Sequence, residues 1–310
     1  MKRGTMGELF MADDREKPVL LVTGASGFLG WAICRTTRES WTTVGTAYRH
    51  PVSCPGVQMR SVDATDYSVL KQLFASVRPD AVIHAAALSK PNYCQEHPDE
   101  SEAINVTASA NIAGLCAESG IPCVFTSSDL VFDGRHPPYN EESPVHPISL
   151  YGEQKVRAEM AMRDRCPTVV VCRLPLMFGA GGPAANGTFM QMIQAVKRGE
   201  EMRLFVDEMR TPVSTEAAAR GLILALKKCT SRTLHLGGPE SISRWDFGKL
   251  AAEVLDLREA RIVPCRQTDV PMPAPRPQDV SLDSTRARAI GYRPGALRQE
   301  LYRLAASLAG

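Results

Sequence analysis

The chain has 310 residues, 44% of them hydrophobic and 23% charged, with 36 Lys and Arg against 34 Asp and Glu. That length suffices for a full core and about two units, and the near-neutral balance argues against nucleic acid or a polybasic membrane contact as partner. No apolar stretch approaches the ~18–20 residues of a membrane span, and nine scattered cysteines without a CxxC pair indicate neither a disulfide framework nor a metal site.

The first 17 residues carry the cluster Asp13, Asp14, Arg15, Glu16 and Lys17 and no sustained apolar stretch, so residues 1–17 read as a disordered leader. The run VLLVTGASGFLG (19–30) then reads as strand, tight turn and helix. Glycines at 24, 27 and 30 let the backbone turn sharply and let a pyrophosphate approach the helix N-terminus. Gly24, Ser26, Gly27, Phe28 and Leu29 are therefore candidate cofactor-binding residues. A second strand is predicted at 43–48, a third at 57–62 followed by Asp63 and Ala64, and a helix at 67–76. The fourth strand, 81–86, runs into His84-Ala85-Ala86-Ala87, whose small residues leave room for a cofactor backbone.

A helix at 102–119 precedes a fifth strand at 123–127, which ends in Ser127-Ser128-Asp129. Another helix, 150–163, carries Tyr151 and Lys155, and a sixth strand follows at 169–173. Short β-rich runs alternating with helices point to a parallel sheet covered on both faces. Ligands of such sheets bind beyond the carboxyl ends of the strands. The remainder has a flexible loop at 179–187, helices at 189–198, 214–227, 244–255 and 296–307, and a strand at 233–236. A proline-rich connector occupies 271–277. The expected organisation is 18–175 mainly as an NADP-binding Rossmann domain. Residues 176–310 mainly form a smaller mixed α/β substrate-binding region, with some segments returning to the first.

Tyr151 and Lys155 are four residues apart and share one helix face. Ketone reduction needs a hydride on one side and a proton for the developing alkoxide. A tyrosine, with its ordinary pKa near ~10, can supply that proton when a nearby ammonium lowers it. Ser128 would polarise the same oxygen as a neutral donor. Where an acid would select NAD, the second strand is followed by Arg49, which can pair a 2′-phosphate; NADP(H) is the expected cofactor.

These residues sit in longer motifs: TGASGFLG (23–30), HAAA (84–87), NVTASANIA (105–113), SSDLVFDG (127–134), PPYNEESPVHPISLYGEQK (137–155), RLPLMFG (173–179), RTPV (210–213) and APRPQDVSLD (274–283). With them the chain resembles the extended short-chain dehydrogenase/reductases, in the branch of dTDP-4-dehydrorhamnose reductase and the methionine adenosyltransferase regulatory β-subunit. The resemblance implies catalytic roles for Ser128, Tyr151 as acid and Lys155 as cofactor-ribose lysine, with Asp63 near the adenine. Asp129, Leu130, Leu176 and Arg210 would line the substrate pocket. Leu130 and Leu176 depart from the aromatic and the tryptophan usual there, which predicts a more apolar pocket. The implied activity is an NADPH-dependent reduction of a nucleotide-linked 4-keto sugar or related biosynthetic carbonyl compound. The rival is a non-catalytic NADP-binding regulatory subunit. The expected setting is cytoplasmic, with a small-molecule partner and a homodimer as a compatible assembly.

Overall fold

The computed structural model of the protein describes residues 16–48, 52–184, 187–257 and 261–309. The expected leader therefore lies outside the described residues except for Glu16 and Lys17.

Strand β1 (Val19–Thr23) is buried at every position, as an apolar run sheathed on both faces must be. Its side chains alternate, Leu20 and Val22 entering one core cluster and Val19 and Leu21 the other. Helix α1 (Phe28–Thr37), β2 (Thr42–Ala47), β3 (Val57–Ser61), α2 (Tyr67–Val77) and β4 (Ala81–His84) follow in order. Asp66 caps α2 by accepting the N–H groups of Ser68 and Val69. Two short helices, α3 (Pro91–Glu96) and α4 (Pro98–Glu102), lead through a π turn at Ala103–Thr107 into α5 (Ala108–Ser119). Then come β5 (Cys123–Ser128), α6 (Leu150–Arg165) and β6 (Val170–Leu174).

These six strands and β11 (Thr233–His235) form one parallel sheet in the order β11-β6-β5-β4-β1-β2-β3. The doubly wound class expected from the sequence is what forms. The chain reverses direction across the sheet between β1 and β4, which places the cleft for a ligand at their carboxyl ends. One face of the sheet is covered by α1 and by α8 (Thr215–Lys228), whose Ala218, Leu222 and Leu226 share a cluster with Leu20 and Ile33. The other is covered by α2, α5 and α6 through Leu70, Phe74, Ile112, Ala158 and Met162. Thus α8 and β11 return to the sheet from the second half, joined in the same cluster by Ala287 and Tyr292.

The rest of that half has β7 (Met177–Phe178), α7 (Thr188–Lys197), β8 (Met202–Phe205), β9 (Met209–Arg210) and β10 (Val213–Ser214), then β12 (Ile242–Ser243), α9 (Arg244–Val254), β13 (Ile262–Cys265), α10 (Thr285–Ala289) and α11 (Leu297–Ala309). Its strands pair as β7 with β10, β9 with β12 and β8 with β13. A separate core forms around Phe178, Phe189 and Phe247, with ring centroids 5.5–5.9 Å apart.

Two expectations change. The helix predicted at 102–119 is broken by the π turn. The strand predicted at 81–86 ends at His84, because the N–H groups of Ala85 and Ala86 turn to Thr23 Oγ1 (3.2 and 3.3 Å). Residues 271–277 carry no helix or strand, as expected of the proline-rich connector, and are held in place: Ala274 is fully buried and its N–H donates to Asn92 Oδ1. All nine cysteines are free and buried. Among the described residues no helix is long and apolar enough to cross a membrane.

Candidate active site

The β1–α1 turn is shaped by close approach. Gly24 has φ +68°, and a Cβ there would stand 2.7 Å from the backbone of Ala86. At Gly30 a Cβ would meet the carbonyl oxygen of Gly24 at 2.1 Å. Only glycine lets the turn lie this close to the end of β4. Helix α1 starts at Gly27 with no side-chain cap and no acidic residue in its first turn. Its leading N–H groups, at Phe28 and Leu29, are therefore left for an anion. The Leu29 side chain belongs to the core, so only its backbone can serve. Ser26 is half-buried in the turn. From the second half, Gly182 lies against the Trp31 indole and Gly187 against the Phe28 ring. The cradle suits a dinucleotide pyrophosphate.

Asp63 follows β3, and its Oδ1 accepts the N–H and hydroxyl of Thr65 (2.9 and 2.6 Å), which commits one oxygen to an Asx turn. Ala64 packs partly buried on the core beside it. Arg49 lies outside the described residues.

A buried hydrogen-bond chain links this turn to the helix bearing Tyr151. Thr23 Oγ1 accepts from Ala85 and Ala86, so its hydrogen goes to His84 Nδ1 at 2.6 Å. His84 Nε2–H then donates to Ser109 Oγ (3.0 Å), which donates to the Asn105 carbonyl (2.7 Å). Burial holds His84 neutral, with its pKa pushed down to about 3. The Asn105 side chain clamps Leu88 through both backbone groups and donates to Gln154 Oε1 at 2.9 Å. Gln154 in turn donates to Ser101 Oγ at 2.7 Å. The loop carrying Ala85, Ala86 and the half-buried Ala87 is thereby tied to α6.

Helix α6 begins at its cap Ser149, whose Oγ accepts the Gly152 N–H. Gly152 is needed there: a Cβ would lie 2.3 Å from the carbonyl oxygen of Leu130. This contact brings Tyr151 beside Ser128, whose hydroxyl lowers the pKa of the phenol. Both are buried. Lys155, one turn on, is 1% exposed, and its Nζ stands 4.2 Å from the centroid of the Phe125 ring. Desolvation pulls Lys155 down to about 7, against the pull of Glu159 and the Cys94 thiol. The same burial raises Tyr151, with Cys94 and Asp129 adding to the rise. The expectation that Lys155 lowers Tyr151 is thus not met in the free protein, where burial, Cys94 and Asp129 raise it and Ser128 alone opposes them. Glu159 holds α6 against β6 by a bidentate pair with Arg173 (3.0 and 2.8 Å) and accepts from Ser127 Oγ at 2.5 Å.

Beyond Ser128 lies a charged cluster. Asp129 Oδ1 accepts from Ser128 Oγ at 3.1 Å, and its Oδ2 lies 3.6 Å from Arg210 Nε. Burial raises Asp129 to about 6 despite Arg210 and Ser128. Arg210 is itself buried and already engaged: it pairs with Glu208 at 3.2 Å and donates to the carbonyls of Met209 (2.7 Å) and Pro277 (3.4 Å). Arg244 faces both carboxylates and Arg276 faces Glu208, and desolvation lowers both arginines. Arg276 donates to Asn92 Oδ1 at 2.9 Å. Leu130 and Leu176 are half-buried, Leu176 against the core of the second region. Reading by residue type misses Glu208, Arg244, Arg276, Asn92, Cys94 and Asn105; only Arg276 and Asn105 lie in motifs that could have flagged them.

A seven-stranded parallel sheet, a glycine turn at its switch point and a Ser–Tyr–Lys set on the neighbouring strand and helix define an extended short-chain dehydrogenase/reductase. More narrowly, the chain belongs to the family described as the RmlD substrate binding domain, which matches residues 18–309. It is 30% identical over 290 residues to the probable low-salt glycan biosynthesis reductase Agl14 of Haloferax volcanii, covering 92% of this chain and 97% of that protein. It is 28% identical to methionine adenosyltransferase 2 subunit beta of Bos taurus, covering 88% and 82% of the two chains. The fold is also that of dTDP-4-dehydrorhamnose reductase from Bacillus anthracis, solved in complex with NADP: TM-score 0.83, 22% identity, 94% of this chain and 99% of that one.

Proposed function

We propose that the protein is an NADPH-dependent ketoreductase acting on a nucleotide-linked 4-keto sugar or a related biosynthetic carbonyl compound. The observation that carries this reading is the burial of Tyr151 against Ser128, with Lys155 one turn along the same helix, at the strand ends where the glycine turn lies. The bound dinucleotide would supply the hydride. Gly24, Ser26, Gly27, Phe28 and Leu29 would receive its pyrophosphate, Asp63 and Ala64 its adenosine end, and Arg49 its 2′-phosphate. Ala85, Ala86 and Ala87 leave its backbone room. Tyr151 donates its phenolic proton to the carbonyl oxygen as the alkoxide develops, and Ser128 holds that oxygen in place. Lys155 binds the nicotinamide ribose, and the resulting contact favours its charged form, which in turn makes Tyr151 the stronger acid.

In this reading residues 18–175 hold the cofactor and 176–310 mainly shape the substrate site. Leu130 and Leu176 form an apolar wall. The opposite wall is charged, and Arg244 and Arg276 are better placed than Arg210 to anchor an anionic part of the substrate, since the donors of Arg210 are spent within the protein. The reaction belongs to the cytoplasm, whose reducing conditions suit nine free thiols.

The second reading is a cofactor-binding regulatory subunit, supported by the several relatives that are methionine adenosyltransferase 2 beta subunits. The deciding experiment follows NADPH oxidation against a panel of nucleotide 4-keto sugars, for the native protein and for Tyr151→Phe. Turnover that falls ~10²–10⁴-fold in the variant while NADPH still binds supports the enzyme. Tight NADP binding with no turnover on any ketone selects the regulatory subunit.

A further inference from the structure

The carboxylate of Glu159 is fastened on three sides, one turn along α6 from Lys155. Arg173, on β6, donates Nε–H to Oε1 at 3.0 Å and Nη2–H to Oε2 at 2.8 Å. Ser127, on β5 and in register with Arg173, donates its hydroxyl to Oε1 at 2.5 Å. Arg163, a further turn along α6, stands 3.7 Å from Oε2. Such bonding fixes the plane of a carboxylate. Glu159 is 2% exposed and Lys155 1%, and their four-residue spacing puts both on one face of the helix. The surroundings of Lys155 are different. Among the described residues its Nζ forms no ion pair; its contact is the ring of Phe125, which shares a face of β5 with Ser127. The other titratable groups about it are the Cys94 thiol on α3, His84 on β4 and Tyr151 one turn back on α6, and none of these is a carboxylate. A glutamate free to move at this spacing would swing onto the ammonium and take its hydrogens; the bonds from Arg173 and Ser127 hold Glu159 back.

We propose that Glu159 is a positioning residue: pinned by Arg173 and Ser127, its carboxylate supports the charge of Lys155 from one helical turn away without capturing Nζ, whose hydrogens stay available to the cofactor ribose. The proposal rests on the cofactor role that the reductase reading gives Lys155. Opposite charges on adjacent turns, shielded from water, attract more strongly than they would in water. Desolvation alone favours the neutral amine. Lys155 titrates at about 7 in the free protein with Glu159 in place. Without that carboxylate the neutral amine prevails at pH 7, and Arg173, left unpaired, pushes the same way.

The test measures NADP affinity by calorimetry from pH 5.5 to 9. It compares native protein, Glu159→Gln, and Glu159→Gln combined with Arg173→Gln, which leaves no unpaired charge behind. The protonated lysine is the binding form, so native affinity should be level below pH 7 and fall by up to about tenfold per pH unit above it. Loss of the carboxylate moves that break to lower pH. At pH 8 each variant is expected to bind about tenfold more weakly than native protein, and at pH 5.5 within about threefold of it. A merely structural Glu159 would weaken binding equally at every pH. That result overturns the proposal, as does a break at the native pH in either variant, or loss of binding at every pH in both. A native profile that is level, or that persists in Lys155→Met, overturns the cofactor role of Lys155 and the proposal with it. Absence of turnover on every ketone overturns the reductase reading alone, because NADP affinity judges Glu159 without it.

Discussion

Replacing Gly152 with alanine perturbs the site's geometry without touching a reacting group. The new Cβ would lie 2.3 Å from the Leu130 carbonyl oxygen and 2.9 Å from Cβ of Pro147, where ordinary contact begins near 3.4 Å. The first turn of α6 and the turn at Asp129–Val131 must then separate by roughly an ångström, since dense interiors yield only by moving. Neither can yield by a side-chain rotation, because the clash is with backbone. Overpacking of this kind costs about 1–3 kcal/mol, which for a chain this size lowers Tm by ~2–12 °C. Tyr151 precedes the mutated residue and Ser128 lies two before Leu130, so the same movement parts the acid from its partner. A displacement near 1 Å costs about 10²-fold in rate. NADPH affinity, set at the glycine turn, should change little. The control is Gly114→Ala on α5, where the nearest atom to a new Cβ is 3.8 Å away and alanine should add ~1 kcal/mol of helix propensity. Steady-state NADPH oxidation, fluorescence titration of NADPH and thermal melting read all three quantities. A Gly152→Ala protein with undiminished kcat would refute the claim that this close approach seats Tyr151 on Ser128.

Cofactor choice is tested at Arg49: native protein should bind NADPH more tightly than NADH, and Arg49→Asp should erase or reverse the preference, since a carboxylate repels the 2′-phosphate; equal native affinities would dismiss the idea. Cofactor binding should take up protons near pH 8, because Lys155 titrates at about 7 in the free protein and ribose contacts favour its charged form. Calorimetry in buffers of different ionisation enthalpy detects this, and zero uptake in the native protein, or equal uptake in Lys155→Met, contradicts it. Stability should fall on mild acidification. His84 and His235 are each pushed down to about 3 by burial, so the unfolded chain binds their protons first. Their contribution is complete above the ordinary histidine pKa near ~6.5 and is lost toward 3, at ~1.4 kcal/mol per pH unit for each. Asp129, raised to about 6, works in the opposite direction between its ordinary value and 6, which leaves a net loss of about one proton's worth per unit. Melting temperatures that stay level from pH 7 to 5 would contradict this balance.

Much of the fold was legible because its causes are local. The run 19–22 is apolar at every position, as a strand buried on both faces requires, and Gly24 and Gly30 mark a turn that no side chain fits. Tyr151 and Lys155 share a face by helical spacing alone, so the pairing was readable from five residues of sequence. The strands of β7, β9, β10 and β12 are two residues long, too short to show a period. What tertiary structure alone decided is which groups meet and what burial does to their charge. Asp129 follows β5, Glu208 precedes β9, Arg210 ends it, Arg244 starts α9 and Arg276 lies in the connector after β13, and no spacing in the chain announces their assembly. The sequence suggested Arg210 as a residue lining the substrate pocket; its neighbours in space engage nearly all its donors. Lys155 and Tyr151 were nameable from sequence, but their shifted acidities were not. An ionisable group's pKa is set by the water it loses and the charges it meets, and both depend on atoms brought near only by folding.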